Sequence, residues 1–239
     1  MGKIQLLSCA SADELARAAA AAWLDEIESA NRAGKNHCVA LSGGRIAQNF
    51  FTAVIAQNQS RKISFTNVHF FWADERCVPP TNAESNFKMA SELLLAPLKV
   101  SSDKIHRLRG EVDPAAAVQF ADQELRCALQ VAAGKMPVLD LILLGMGEDG
   151  HIASLFPNAT PEILNCATPF LLVTNSPKPP PCRISLSFAA IIAARQVWVL
   201  ASGAGKETAF RASMQPHGTT PLARVVQMRD TLNIFSDIR

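Results

Sequence analysis

The chain contains no tyrosine, and its 12 Phe and 3 Trp bring the aromatic share to only 6% of 239 residues. Basic stripes interleaved with aromatics, the usual footprint of a nucleic-acid groove, are absent, so nucleic acid is not expected as a partner. No uninterrupted apolar run approaches the ~20 residues that span a bilayer. The opening Met-Gly-Lys-Ile-Gln-Leu-Leu-Ser also lacks a signal-peptide core and a cleavage pattern. No membrane partner and a cytoplasmic location are the resulting expectations. The six cysteines, at 9, 38, 77, 127, 166 and 182, include no C-x-x-C pair, which argues against a zinc cluster and against a secreted disulfide framework. They are expected to act as small buried hydrophobes, with Cys77 set apart because the adjacent Arg76 would lower a thiol pKa. His37, His69, His106 and His217 show no paired metal-ligand spacing, so structural or surface roles are expected for them and no metal for the chain.

What is present is ordinary for a globular protein: 49% hydrophobic residues, 18% charged residues and a net charge of +2, too small to point to a polyanionic partner. Nothing resembling a linker divides the sequence, and a single domain over residues 1–239 is expected. Ser11-Ala-Asp-Glu14 reads as a capping box opening a helix to about residue 32, ended by Gly34. A strand at 38–42 runs into the turn Ser42-Gly43-Gly44, after which Ile46, Phe50, Phe51 and Val54 recur at helical spacing. A strand at 68–72, a proline-containing loop and a helix to about Leu95 follow, and Asp113-Pro114 caps another helix to about 131. Further strands are expected at 139–144, 170–174, 183–187 and 196–201, a short helix at 188–194, a helix after Gly203 and Gly205, and an edge strand at 231–235. This repetition implies an α/β, Rossmann-like fold: a doubly wound, largely parallel sheet with helices on both faces.

The most informative stretch is 143–157, Leu-Leu-Gly-Met-Gly-Glu-Asp-Gly-His-Ile-Ala-Ser-Leu-Phe-Pro, where an apolar strand enters a glycine-rich loop carrying two carboxylates and His151. Loops leaving the carboxyl ends of parallel strands build ligand sites, and His151 has the side chain whose unperturbed pKa lies near neutrality. Residues 145–150 match the dinucleotide pattern G-x-G-x-x-G. That reading fails on context: Pro157 interrupts a long helix, residues 165–175 contain no acidic group for a ribose, and Glu148 and Asp149 would repel a pyrophosphate.

Four chemistry-bearing turns fall after expected strands: Ser42-Gly43-Gly44, Asp74-Glu75-Arg76, Glu148 to His151, and Gly203 to Lys206. One sheet would gather them along one edge, with backbone N–H groups at a helix N-terminus and Lys206 forming an anion clamp. These residues, with Val78-Pro79, Ser85-Asn86 and Arg183-Ile-Ser-Leu, make the chain resemble the 6-phosphogluconolactonase family, a relation spanning nearly its whole length. Related glucosamine-6-phosphate deaminases typically carry Tyr in place of Arg76, and the ending Gly-His-Ile-Ala-Ser-Leu-Phe-Pro is the lactonase form, although Ile152 is the residue more usual in deaminases. The family form Ser-Gly-Gly-Ser-Thr-Pro is replaced by Ser42-Gly43-Gly44-Arg45-Ile46-Ala47, which removes two hydroxyl donors and offers Arg45 as a charge-assisted substitute.

The resemblance implies hydrolysis of 6-phospho-D-glucono-1,5-lactone without a cofactor, by a monomer or weak homo-oligomer acting on a small sugar phosphate. His151 is then the expected general base, oriented by Asp149. Arg183 and Lys206 are the expected phosphate ligands, assisted by Ser42, Gly43, Gly44 and Arg45, while Arg76 binds substrate oxygens or phosphate. Asp74 and Glu75 are read either as acceptors for sugar hydroxyls or as structural partners of Arg76. Ser154 lacks the G-x-S-x-G elbow of a serine hydrolase. Two rivals stay open on the sequence alone, a deaminase-like sugar-phosphate isomerase and a non-catalytic sugar-phosphate sensor.

Overall fold

The computed structural model describes residues 3–238. Met1, Gly2 and Arg239, the ends of the expected domain and part of the stretch read for a signal core, lie outside the described residues. In chain order the elements are β1 (Lys3–Ser8), α1 (Ala12–Arg32), β2 (His37–Leu41), α2 (Arg45–Arg61), β3 (Val68–Trp72), β4 (Asp74–Arg76) and α3 (Asn86–Ala90). Then come α4 (Pro114–Leu129), β5 (Leu141–Gly145), α5 (Pro161–Leu164), β6 (Phe170–Val173), β7 (Arg183–Leu186) and α6 (Phe188–Ala193). The last four are β8 (Gln196–Ala201), α7 (Glu207–Ser213), α8 (Pro221–Met228) and β9 (Thr231–Ser236).

Six strands form a wholly parallel sheet in the order β1-β9-β8-β5-β2-β3. The central strands β2 and β5 are near-continuous apolar runs, His-Cys-Val-Ala-Leu and Leu-Ile-Leu-Leu-Gly, because layers on both faces exclude water from both sets of side chains. Helix α1 packs on α2, and between them and β3 the buried Trp23 ring meets Phe50, Phe65 and Phe70 at centroid distances of 5.5, 5.7 and 6.3 Å. Trp23 Nε1 donates to His37 Nε2 at 3.1 Å, a contact that needs neutral imidazole, and burial lowers the His37 pKa accordingly. His69 and His106 pair with each other at 2.9 Å, and His106 with Glu124 at 2.8 Å, away from the carboxyl edge of the sheet.

Local chemistry sets the helix ends. Ser11 Oγ accepts from Glu14 N at 3.2 Å and Asp113 Oδ1 from Ala116 N at 3.0 Å, the expected caps of α1 and α4. Gly34 turns the chain out of α1 with φ 63°.

The fold differs from the sequence-based expectation in three ways. The strands expected at 170–174 and 183–187 do not join the parallel sheet; β6 and β7 pair antiparallel with each other and with β4 in a separate three-stranded sheet, order β4-β7-β6. No crossover helix stands between β6 and β7, only the proline-rich connection, so antiparallel pairing is the available arrangement. The segment 231–235 is not an edge strand: β9 lies between β8 and β1, and the unforeseen β1 takes the edge. A further helix, α8, follows Thr220-Pro221, with Thr220 Oγ1 accepting from Ala223 N at 3.0 Å.

The strand order turns around between β2 and β5: from β2 the chain moves outward to β3, and from β5 outward through β8 to β9. A crevice at the carboxyl ends of such a pair is the standard ligand position of an open α/β sheet. The turns Ser42-Gly43-Gly44 and Gly145 to His151 leave β2 and β5 at that point.

Candidate active site

The loop after β5 is folded around His151. Gly147 N donates to His151 O at 2.8 Å and Gly150 N to Gly147 O at 3.1 Å, closing a tight turn in which Gly150 has φ 80°. His151 Nδ1 meets Asp149 Oδ1 at 2.5 Å, and the His151 amide donates to the same oxygen at 3.2 Å. A Cβ on Gly147 would stand 2.0 Å from His151 Nδ1, so only glycine lets the ring lie against this turn. Phe156 also packs on the imidazole, ring centroids 4.8 Å apart and tilted by 42°. Burial lowers the His151 pKa, opposed by the hydrogen bond and charge of Asp149; the ring is therefore neutral at neutral pH. Burial alone would raise the Asp149 carboxyl, but its contacts with His151 outweigh that and hold it below the usual range. With Nδ1–H directed at a carboxylate, Nε2 carries the free lone pair.

Asp74 and Glu75, adjacent on β4, have separate tasks. Asp74 Oδ2 accepts from Ser154 Oγ at 2.7 Å, and Ser154 N donates to Ser185 Oγ at 3.2 Å, so the His151 loop is tied to both β4 and β7. The charge of Asp74 also reaches His151 and Arg183. Glu75 is buried and accepts from Arg76 N, Asn86 N and Phe87 N, each at 2.8 Å, and from Ser85 Oγ at 2.9 Å. All its lone-pair directions are occupied and it crowns the N-terminus of α3, so it is neither a sugar-hydroxyl acceptor nor an ion-pair partner of Arg76. Burial raises the Glu75 pKa, and the four hydrogen bonds oppose that.

Asn86 joins this unit to the first turn. Its Nδ2 donates to Asp74 O at 2.9 Å, while a Cβ on Gly43 would fall 1.8 Å from its Oδ1. Gly43 is therefore required for the Ser42-Gly43-Gly44 turn to close on β4. Ser42 Oγ donates to Leu143 O at 2.8 Å, fastening the turn to β5. Gly44, with φ 94°, is the N-cap of α2; the residue is exposed, and a Cβ placed on it would meet nothing within 4 Å. Arg45 is exposed at the first position of α2.

The cations fall into two groups. Lys206, at the N-cap of α7, has its pKa lowered by burial and then by the charges of Arg45 and Lys178, against Glu148 and Asp237. Lys178 also lowers the pKa of His151, so its charge reaches both the imidazole and Lys206. Sequence reasoning missed Lys178, which lies within a proline-rich segment and belongs to no motif. Arg183 locates it: its Nη2 donates to Lys178 O at 3.0 Å and Pro179 O at 3.2 Å, its Nε to Pro180 O at 3.1 Å, and Ser176 Oγ donates to Lys178 O at 2.8 Å. The Arg183 guanidinium lies 5.8 Å over Phe156, the ring that packs on His151. Arg183 and Arg76 form the second group. Arg183 is held below its ordinary pKa first by burial and then by Arg76, and Arg76 donates to Glu84 O while its buried Nε has no protein partner.

Cys77 departs from expectation. Arg76 is turned toward Glu84, and burial with the adjacent Cys182 thiol pushes the Cys77 pKa up to about 12 rather than down. Nor are all six cysteines buried: Cys38 is, Cys127 is exposed, and the other four are intermediate. Among the described residues no group of three or more His, Cys, Asp or Glu is placed to hold a metal ion, and no helix is long and apolar enough to cross a membrane.

A parallel doubly wound sheet with a histidine–carboxylate pair and flanking cations at its turning point is the arrangement of a sugar-phosphate enzyme class, and comparison with known proteins agrees. Residues 10–234 match the family model described as glucosamine-6-phosphate isomerases/6-phosphogluconolactonase, and the chain belongs to that family. It is 35% identical to the 6-phosphogluconolactonase of Treponema pallidum over 87% of this chain and 86% of that one. The 6-phosphogluconolactonase of Mycobacterium tuberculosis is 37% identical over 73% and 72% of the two chains. Among solved structures, 6-phosphogluconolactonase from Trypanosoma brucei superposes with a TM-score of 0.82 at 27% identity, covering 99% of this chain and 97% of that one.

Proposed function

We propose that this chain, acting as one domain, hydrolyses 6-phospho-D-glucono-1,5-lactone to 6-phospho-D-gluconate with His151 as general base. The observation that carries the mechanism is the 2.5 Å contact between His151 Nδ1 and Asp149, with a half-buried, neutral ring whose Nε2 is left free. Water held at Nε2 loses a proton to the imidazole as its oxygen attacks the lactone carbonyl. The carbonyl π pair moves onto oxygen, giving a tetrahedral oxyanion. When that pair returns, the bond to the ring oxygen breaks and His151 hands its proton to the departing oxygen. Such acid–base help is worth about 10²–10⁴ in rate. Asp149 fixes the tautomer and stabilises the imidazolium that forms in between.

The two cation groups divide the substrate between them. Lys206, Arg45 and Lys178, with the exposed backbone of Gly44 at the start of α2, hold the phosphate. Arg183 and Arg76, beside Phe156 and Asp74, bind oxygens at the lactone end and support the oxyanion. This revises the expectation that Arg183 is chiefly a phosphate ligand: three of its hydrogen bonds already go to the carbonyls of Lys178, Pro179 and Pro180. The chain works in the cytoplasm as a monomer or weak homo-oligomer. The sensor reading gains nothing from the replaced Ser-Thr-Pro segment, because Arg45 adds a positive charge whose field reaches Lys206 where the hydroxyl donors are missing.

Kinetics on freshly generated 6-phosphogluconolactone and on unphosphorylated gluconolactone test this division. Lys206→Ala is expected to raise KM for the phosphorylated substrate about tenfold or more, with little effect on the unphosphorylated one. Equal losses on both would contradict the phosphate role. A folded wild type that does not outpace buffer but deaminates glucosamine 6-phosphate would move the assignment to the isomerase branch.

A further inference from the structure

The antiparallel register of β4 and β7 pairs Asp74 with Ser185, Glu75 with Ile184 and Arg76 with Arg183. One step further it sets Cys77 opposite Cys182: Cys77 N donates to Cys182 O at 3.0 Å, and the two sulfurs are 3.1 Å apart. Both residues are partly accessible free thiols, and lactone hydrolysis uses neither. We propose that Cys77 and Cys182 form a reversible disulfide that makes substrate turnover sensitive to peroxide.

Directly opposed residues of an antiparallel pair have Cα atoms about 4.5–5.5 Å apart, within the roughly 4.4–6.8 Å that a disulfide spans. The sulfurs need approach by only about 1 Å to reach the ~2.05 Å of the bond. The other four cysteines have no such partner: Cys9 and Cys166 bond to backbone or hydroxyl oxygens, and neither Cys38 nor Cys127 meets a second sulfur among the described residues. The chemistry balances with hydrogen peroxide as oxidant. One thiolate attacks the O–O bond, giving a sulfenic acid and hydroxide; the second thiol attacks the sulfenic sulfur, and its proton leaves with the displaced hydroxyl as water, while the proton shed by the first thiol joins the hydroxide as the second water. A cellular thiol returns the pair to the reduced state by exchange.

Burial and the neighbouring thiol raise the Cys77 pKa, so the thiolate that attacks peroxide becomes more abundant, and oxidation quickens, as pH rises. The consequence falls on the active site because the flanking residues are Arg76 and Arg183. Drawing Cys77 and Cys182 together shifts both arginines and, through Arg183, the carbonyls that position Lys178. A displacement of about 1 Å at such groups costs about 10²-fold in rate.

The test is made on the full chain, reduced and then treated with hydrogen peroxide at about pH 8, where thiolate formation is favoured over neutral pH. Non-reducing peptide mapping is expected to recover a peptide carrying Cys77 joined to one carrying Cys182. Lactonase kcat/KM is expected to fall between about tenfold and a hundredfold and to recover with dithiothreitol. Cys77→Ser and Cys182→Ser, checked for folding by circular dichroism, should keep their activity under peroxide. Absence of the joined peptide while exposed Cys127 oxidises would overturn the proposal, as would the joined peptide with unchanged kcat/KM. The activity arm rests on the lactonase reading and the mapping arm does not, so a reduced chain without lactonase activity sinks that reading while mapping still decides the disulfide.

Discussion

Replacing Gly147 by alanine should disable the site from beneath the histidine. A Cβ there would lie 2.0 Å from His151 Nδ1, 2.1 Å from Cε1 and 2.8 Å from Asp149 Oδ1, whereas real Cβ contacts essentially never fall under 3.0 Å. The imidazole must therefore retreat by at least 1.0 Å, and it cannot do so while keeping its 2.5 Å contact with Asp149. Losing that contact frees the tautomer and misplaces Nε2, and a shift of this size costs about 10²-fold, or roughly 2.7 kcal/mol of transition-state stabilisation. Gly145→Ala is the matched control, since its Cβ would meet only Gly43 O at an ordinary 3.8 Å. The assay is steady-state hydrolysis of the phosphorylated lactone, corrected for spontaneous opening, alongside thermal melts of all three proteins. The expected pattern is kcat about a hundredfold down in Gly147→Ala and within about threefold of wild type in Gly145→Ala. A folded Gly147→Ala enzyme with wild-type kcat would refute the claim that this turn sets the histidine.

Acidity and stability give two further expectations. In the wild type, kcat/KM should rise through an apparent pKa below the 6.5 of an unperturbed imidazole, because His151 works as a neutral base and burial lowers its pKa. Asp149 opposes that lowering, so Asp149→Asn should move the acid limb to still lower pH while the plateau drops roughly 10²–10⁴-fold from loss of the correct tautomer; a limb moving upward would contradict the assignment. Glu75→Ala should cost at least about 3 kcal/mol by urea denaturation, since three backbone amides and the Ser85 hydroxyl lose their buried acceptor. A loss under about 1 kcal/mol would return Glu75 to the substrate ligands.

The parallel sheet was legible because β2 and β5 bury both faces and so read as unbroken apolar runs. The edge strand β1 was not: Ile4, Leu6 and Leu7 remain 39%, 51% and 40% exposed, so no alternation of buried and solvated positions marks it. Missing β1 is also why β9 was expected at an edge. The three-residue β4 is too short to show a period, and its pairing with β7 depends on residues more than a hundred positions away. Helix α8 did carry a signal, a threonine before a proline at the first helical position. Within the site, the histidine loop announced itself through glycine spacing and residue type. Glu75 looked equally suited to sugar binding, and only the arrival of Ser85, Asn86 and Phe87 over its carboxylate gives it to the fold. Lys178 carries no local pattern; the grip of Arg183 on the proline tract brings it to the site. Cys77 and Cys182 are likewise far apart in sequence and meet only through the second sheet.

The most direct test of His151 as the base is the hydrolysis rate of fresh 6-phosphogluconolactone with wild type and His151→Ala, both verified as folded, measured against spontaneous opening. Rapid wild-type turnover is expected, falling about 10²–10⁴-fold in the variant, with substrate still bound. A His151→Ala enzyme that keeps the wild-type rate would contradict this mechanism, and the base would have to be sought elsewhere in the crevice.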